Sequence, residues 1–245
     1  MTFSGETPAQ PSDEVRLLGI MLNSDTSFRS QIANIKKKMY MAANIPFRMR
    51  DMGASYHNIV AAYKMFLSCH VEYALPAYGS LLNKAQVNEI EKTQRRIIMM
   101  MTGWNLNYET IRKQYNIMQF DELIKIRTMN FAYKNYINGS ISDWFEKYDN
   151  KYNMRHSNLV KVPKCNNTKQ LNAPITVFAK KINLVNTKIK FIEKEIKSLK
   201  ENKNKIKSNS NVICNFLQKF KNESNENKNI YKLWMYKKSL VQINV

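Results

Sequence analysis

The stretch NKAQVNEIEKTQRRIIMMMTG, residues 83–103, decides the fold class. Asn83 is a good helix N-cap, and Gln86 falls three residues later, as a capping box requires. Val87, Ile90, Ile97, Ile98 and Met101 recur at helical spacing, with Gln94 interrupting the stripe. Glu91 and Arg95 stand four apart, a favourable pair on a helix surface. Gly103 suits the left-handed residue that follows a last turn. The Met99-Met100-Met101 run reads as core filling, since Met adapts to irregular gaps. A helix of this definition, in a chain with only six Gly and six Pro, points to a mainly helical protein.

Working outward, the same periodicity predicts more helices. Upstream, Phe28, Ile32, Ile35, Met39 and Ala42 mark a helix over about 26–44, ended by Pro46. Asn23-Ser24-Asp25 offers its N-cap. A second helix starts after Ser55, burying Ile59, Tyr63, Phe66, Leu67, His70 and Ala74, and closes at Pro76 and Gly79. Downstream, Tyr108–Tyr115 and Phe120–Asn138 read as helices, the second buried through Leu123, Ile126, Phe131 and Tyr133 and ended by Gly139. At the N-terminus, Thr2-Phe3-Ser4 and the run Val15–Leu22 suggest a strand pair across a Pro-containing turn.

These elements group into four segments. Residues 1–24 form a β-hairpin and 25–150 a helical bundle. Residues 151–174, with Pro163, Asn166 and Asn167, form a linker. Residues 175–245 form a Lys/Asn-rich tail, helical or partly disordered. Within the tail, 175–207 has helical spacing, 221–228 is polar and flexible in character, and 230–240 is amphipathic around Leu233, Trp234 and Tyr236.

Net charge is +20, from 39 Lys plus Arg against 19 Asp plus Glu. A field of this sign attracts polyanions, nucleic acid first and anionic membrane second. Coding bias that raises Lys, Asn and Ile together is the bland alternative. The three cysteines, Cys69, Cys165 and Cys214, show neither metal-ligand spacing nor a disulfide framework, which fits a reducing, intracellular setting without fixing nucleus or cytoplasm. No signal peptide or membrane span is readable. An amphipathic surface helix over 175–199 is weakened by Lys and Asn on its apolar face. Walker, dinucleotide and zinc-protease motifs are absent. Cys69 beside His70 is no thiol–imidazole pair, because helical neighbours point about 100° apart. His57 and His156 have no patterned partner.

Three stretches carry a resemblance: Arg16-Leu17-Leu18-Gly19-Ile20-Met21-Leu22, Cys69 to Gly79, and Ile90 to Arg96 with Thr102-Gly103. In that order they resemble the region just past the catalytic palm in reverse transcriptases of non-LTR (jockey or LINE type) retrotransposons. Met1-Thr2-Phe3-Ser4-Gly5 resembles the end of the last palm strand, so that Met1 corresponds to an internal methionine of a longer frame. Leu18-Gly19-Ile20 matches a Leu-Gly-Ile/Val core, and Asp25 an Asp before an amphipathic helix. In the family's Pro-His-Leu-Glu-Tyr-Gly-x-Pro-x-Trp stretch, His70, Glu72, Tyr73 and Pro76 match. Cys69 replaces the first Pro and Tyr78 the Trp. Tyr108-Glu109 and Leu123 to Gly139 resemble later helices, with Lys134, Asn138 and Gly139 fitting a Lys-x-x-x-Asn-Gly ending. The similarity covers roughly residues 1–140.

The resemblance implies a fragment holding the end of the palm and the helical thumb of an RNA-directed DNA polymerase. Such enzymes use two Mg2+ ions on palm aspartates. This sequence has no Asp-Asp pair, and the similarity starts past that turn, so no catalytic residue and no cofactor are assigned to the chain. Asp25 and Asp51 read as cap and loop residues. The implied partner is an RNA/DNA template–primer duplex, with association to a separate catalytic chain as a further implication. Its phosphates would meet Arg29, Lys36, Lys37, Lys38, Arg48, Arg50, Lys92, Arg95 and Arg96. The bland reading of those cations is a solvated helix face, with Glu89 and Glu91 neutralising Lys92 and Arg95. The function alternative is a non-enzymatic helical interaction module, or a pseudogene product with no selected role.

Overall fold

The computed structural model describes residues 13–103, 107–146, 159–201 and 209–243. The protein is mainly helical, with one short antiparallel hairpin near its N-terminus. Two compact units divide it. The first comprises residues 1–74 and 82–121, the second 75–81 and 122–245.

The first unit begins with β1 (Glu14–Leu17) and β2 (Ile20–Asn23). Together the two strands span the single apolar run Val15–Leu22, each reaching one residue beyond it. Thr2-Phe3-Ser4, the expected first strand, lies outside the described residues. The turn is Leu18-Gly19, with both residues at positive φ (47° and 82°). That is the geometry a two-residue hairpin favours, because its twist matches the strands. The Tyr73 hydroxyl donates to the Leu18 carbonyl at 2.7 Å and fixes the turn.

Helix α1 (Arg29–Asp51) comes next. It opens later than expected, because Asp25 accepts from the Ser27 amide at 2.8 Å in a turn ahead of the helix. It also continues through Pro46 to Asp51, a correction to the stop expected there. An interior proline removes one helical hydrogen bond. Here its ring is buried in line with Met39 and Ala43, which offsets that loss.

Helix α2 (Tyr56–Ala62) is capped by Ser55, whose side chain accepts from the Asn58 amide. It runs into a π-helical turn at Tyr63–Leu67 and then α3 (Ser68–Glu72). A π turn holds one extra residue and so rotates the helix beyond it. Phe66 is exposed and His70 only half-buried, against the expectation from unbroken 3.6-residue spacing. Helix α5 (Lys84–Met101) and helix α6 (Tyr108–Gln114) complete the unit, α5 coming after a short α4 (Leu75–Tyr78) that belongs to the second unit. The capping box of Asn83 and Gln86 is formed, and Gly103 sits at φ 71°. The core joins Ile32, Ile35 and Met39 of α1 to Tyr63, Leu67 and Val71, and to Ile90, Ile97, Ile98 and Met101 of α5.

The second unit is built on α7 (Phe120–Ile137), whose first two residues belong to the first unit, and on α9 (Pro174–Glu201), with α8 (Thr168–Asn172), α10 (Asn209–Glu223) and α11 (Asn225–Ile243). One cluster packs Met129 and Tyr133 of α7 with Val185, Ile189 and Ile192 of α9 and with Phe220, Ile230, Leu233 and Trp234. A second gathers Ala132, Ile141, Phe145 and Val160 with Phe178, Ala179 and Ile182. Asn183 clasps Val160 reciprocally, accepting from its amide and donating to its carbonyl at 2.9 Å each. Gly79 admits a close approach, since a Cβ there would meet Ile124 and Leu75 at 3.2 Å. The expected polar break at 221–228 is instead a joint at Ser224 between two helices, where the Ser224 hydroxyl accepts from the Asn227 amide. Phe131, placed on the buried side by spacing, is 42% exposed. Among the described residues no helix is long and apolar enough to cross a membrane.

Candidate nucleic-acid interface

All nine candidate cations lie on α1 and α5 of the first unit. Lys36 of α1 meets Glu89 of α5 at 2.9 Å. Further on, the Arg50 guanidinium donates to the Met100 carbonyl at 2.6 Å. Both numbers rise together, so the helices lie side by side and run the same way. Helical geometry then sorts the cations by face.

On α5 the buried row is Gln86, Ile90, Thr93, Gln94, Ile97, Ile98 and Met101. Lys92, Arg95 and Arg96 occupy the opposite face, one turn apart, and all three are exposed. None of them forms an ion pair among the described residues. The expected Glu91–Arg95 pair does not form. Glu91 turns inward instead, accepting from the Tyr108 hydroxyl at 2.8 Å and the Phe120 amide at 2.7 Å. Arg95 rests its guanidinium over the Tyr108 ring, 5.6 Å from the centroid. Glu89, the other expected neutraliser, is engaged by Lys36. Lys92, Arg95, Tyr108 and Gln119 border an open cleft of about 240 Å³ together with Glu91 and Glu109, the latter paired with Arg112 at 3.1 Å.

The cations of α1 are not brought to one face. Lys37 and Arg48 lie on its outer side with Ala33, Tyr40, Met41 and Asn44, all exposed. Lys38 is half-buried on the far flank. Arg29 faces Asp25 at 3.5 Å. Arg50 is held by the Asp51 carboxylate at 2.6 Å as well as by Met100, so it is engaged within the fold. Asp51, read as a loop residue, is the last residue of α1.

Tyr40 and Tyr108 were not singled out by sequence as site residues. Tyr40 stands four residues after Lys36 and three after Lys37, so it interleaves with the cations along the exposed side of α1. That interleaving of aromatic and cation at helical spacing was the available signal. Tyr108 had none, because its contact with Arg95 spans a chain turn.

Gln94, the polar interruption of the α5 stripe, is buried and donates to the Met118 carbonyl at 3.1 Å. Burial raises the Tyr63 hydroxyl above its ordinary pKa, with the nearby Tyr108, Glu91 and Glu72 adding to it. Burial does the same for Tyr108, together with its hydrogen bond to Glu91. Among the described residues no three His, Cys, Asp or Glu side chains gather where a metal ion could be held. Comparison with family models, curated proteins and solved structures finds no match to this chain.

Proposed function

We propose that this chain is a reverse-transcriptase-derived fragment of the non-LTR retrotransposon type, acting as an intracellular nucleic-acid grip without catalysis of its own. The observation that carries it is the α5 outer face, where Lys92, Arg95 and Arg96 project together with no acid of the described residues neutralising them. The carboxylates around it are committed elsewhere, Glu91 inward, Glu89 to Lys36 and Glu109, which lines the same cleft, to Arg112. A solvated face would cost nothing by keeping its Glu–Arg pair. This one leaves its cations for an external anion. Lys37 and Arg48 of α1 extend the same sign along a second helix.

Cations at one-turn spacing suit phosphates along a groove and read no bases. An RNA–DNA hybrid, near A-form and with a wide minor groove, is the duplex whose shape fits that use. The chemistry of bond formation is left to a separate catalytic chain, because the sequence offers no paired aspartates for the two metals.

The test is a titration of the purified chain with a fluorescent RNA–DNA hybrid over a range of salt. Affinity is expected to fall with a log–log slope of about −0.7 to −0.9 per phosphate neutralised. The double variant Lys92→Ala/Arg96→Ala should make that slope shallower by roughly 2. A flat salt response, or a double variant that binds like the parent, overturns the reading. So does metal-dependent primer extension by the chain alone.

A further inference from the structure

The cleft beside α5 is built differently from the cationic face around it. Asn88, Glu91, Lys92 and Arg95 recur at three- and four-residue spacing on α5, and the first turn of α6 with Gln119 forms the other wall. All of it lies within the first unit. The Tyr108 ring backs the Arg95 guanidinium from one side, 5.6 Å from the centroid. Arg95 is otherwise exposed and lines the cleft. A guanidinium stacks on flat π systems as well as pairing with anions. Backed by a ring and open to a cleft, this one is a platform for a planar ligand.

The groups around that platform favour an uncharged, hydrogen-bonding ligand. The Asn88 and Gln119 side chains are exposed and form no hydrogen bond among the described residues. Each amide offers donors and an acceptor. Of the two carboxylates, Glu91 is engaged by the Tyr108 hydroxyl and the Phe120 amide, and Glu109 gives its Oε2 to Arg112. Both nonetheless line the cleft, facing the two cations Lys92 and Arg95. A phosphate placed inside would meet both carboxylates. A neutral ring bearing amino and carbonyl groups meets acceptors, donors and a stacking surface at once. At about 240 Å³ the space is below the roughly 300–1,000 Å³ of sites for drug-sized ligands, and far too small for a duplex.

We infer that this cleft takes one unpaired nucleobase of a nucleic-acid strand, stacked on Arg95, with the strand's phosphates passing outside it. The inference deepens the nucleic-acid reading of the α5 face and rests on it. Bases inside a duplex are stacked on one another and cannot enter a cleft. Splayed, single-stranded bases stack on guanidinium planes and pair through their edges. Asn and Gln amides match the edge of adenine, and a carboxylate accepts from the amino group of cytosine. Arg96 follows Arg95 on the same outer face, exposed and without an ion pair among the described residues, and is left for the adjoining phosphate. The outer face of α5 then grips duplex, and the cleft selects the point where pairing ends.

The test titrates the full chain with three fluorescent RNA–DNA hybrids. One is blunt, one is forked by unpaired nucleotides on both strands, and one carries the same fork without its bases. The forked hybrid should bind about fivefold or more tighter than the abasic fork, as stacking of one base supplies. Arg95→Lys keeps the charge and removes the guanidinium plane. It should abolish that difference and leave blunt-hybrid affinity and salt slope unchanged. The double variant N88A/Q119A should shrink the difference at the same slope. The comparison of forks uses the unaltered chain, so it decides even if a variant misfolds. Equal binding of the two forks, or an R95K that keeps the difference, overturns the inference. So does an R95K that weakens blunt and forked hybrids alike, since that places Arg95 on a phosphate. A free nucleoside monophosphate that displaces the fork at micromolar concentration gives the cleft to a soluble nucleotide and overturns the strand assignment. A chain that binds the blunt hybrid but gains nothing from the bases of the fork loses this inference alone. A chain that binds no hybrid loses the nucleic-acid reading with it.

Discussion

Glu91 shows how one side chain changes role between sequence and fold. By spacing it belongs to Arg95. In space it belongs to Tyr108 and the Phe120 amide, and it thereby ties α5 to the first residue of α6 and the first residue of α7. Hydrogen bonds to a charged acceptor are the stronger kind. Glu91→Ala should cost about 2–3 kcal/mol, read as a lower urea midpoint at unchanged slope. The buried tyrosines supply a pH signature. Tyr63 has its hydroxyl pKa raised by burial, so the folded state holds that proton after the unfolded state has released it. Its contribution is complete below about pH 10 and is lost as pH rises above it, at up to about 1.4 kcal/mol per pH unit. Tyr63→Phe should therefore gain stability relative to the parent above pH 10 and show no such pH-dependent gain below it, in chemical denaturation across alkaline pH.

At the scale of the element, local sequence was legible where a single local rule acts. The α5 cap needs only residues 83–86, and it forms as spacing indicates. Asn83→Ala should destabilise by about 1 kcal/mol, with circular dichroism melting as the measurement. The Gln86 side chain also donates to the Ser27 carbonyl, so Gln86→Ala should exceed the loss at Asn83. Legibility failed where tertiary contacts override propensity. Pro46 stays inside α1 because its ring packs in the core row. The π turn at Tyr63–Leu67 rotates Phe66 outward, and no spacing rule carries that extra residue. The turn within the run Val15–Leu22 was not legible either, because Leu18 adopts a left-handed conformation that bulky apolar residues rarely take and Tyr73 holds it there.

For the whole molecule, charge is the property that sequence states outright and structure distributes. A net +20 is the same in any fold. The nine candidate cations share two helices, yet the fold spends Lys36 and Arg50 on internal partners and sets Lys38 apart from Lys37. What remains outward on α5 is the trio at 92, 95 and 96. The salt slope of hybrid binding belongs to this scale, since counterion release counts phosphates met by the whole surface rather than any single contact.

Sequence alone determined the helical class, the well-capped α5, the positions of α6 and α7, and the excess of positive charge. These depend on period, caps and composition, which are local or additive. The tertiary structure decided which carboxylates are withdrawn from the cations, which helix continues through its proline, and which side chains a π turn carries outward. Each of these turns on who lies beside whom across long stretches of chain. Residues far apart in sequence meet only once the core has closed, so their pairing is not written in the spacing of either partner.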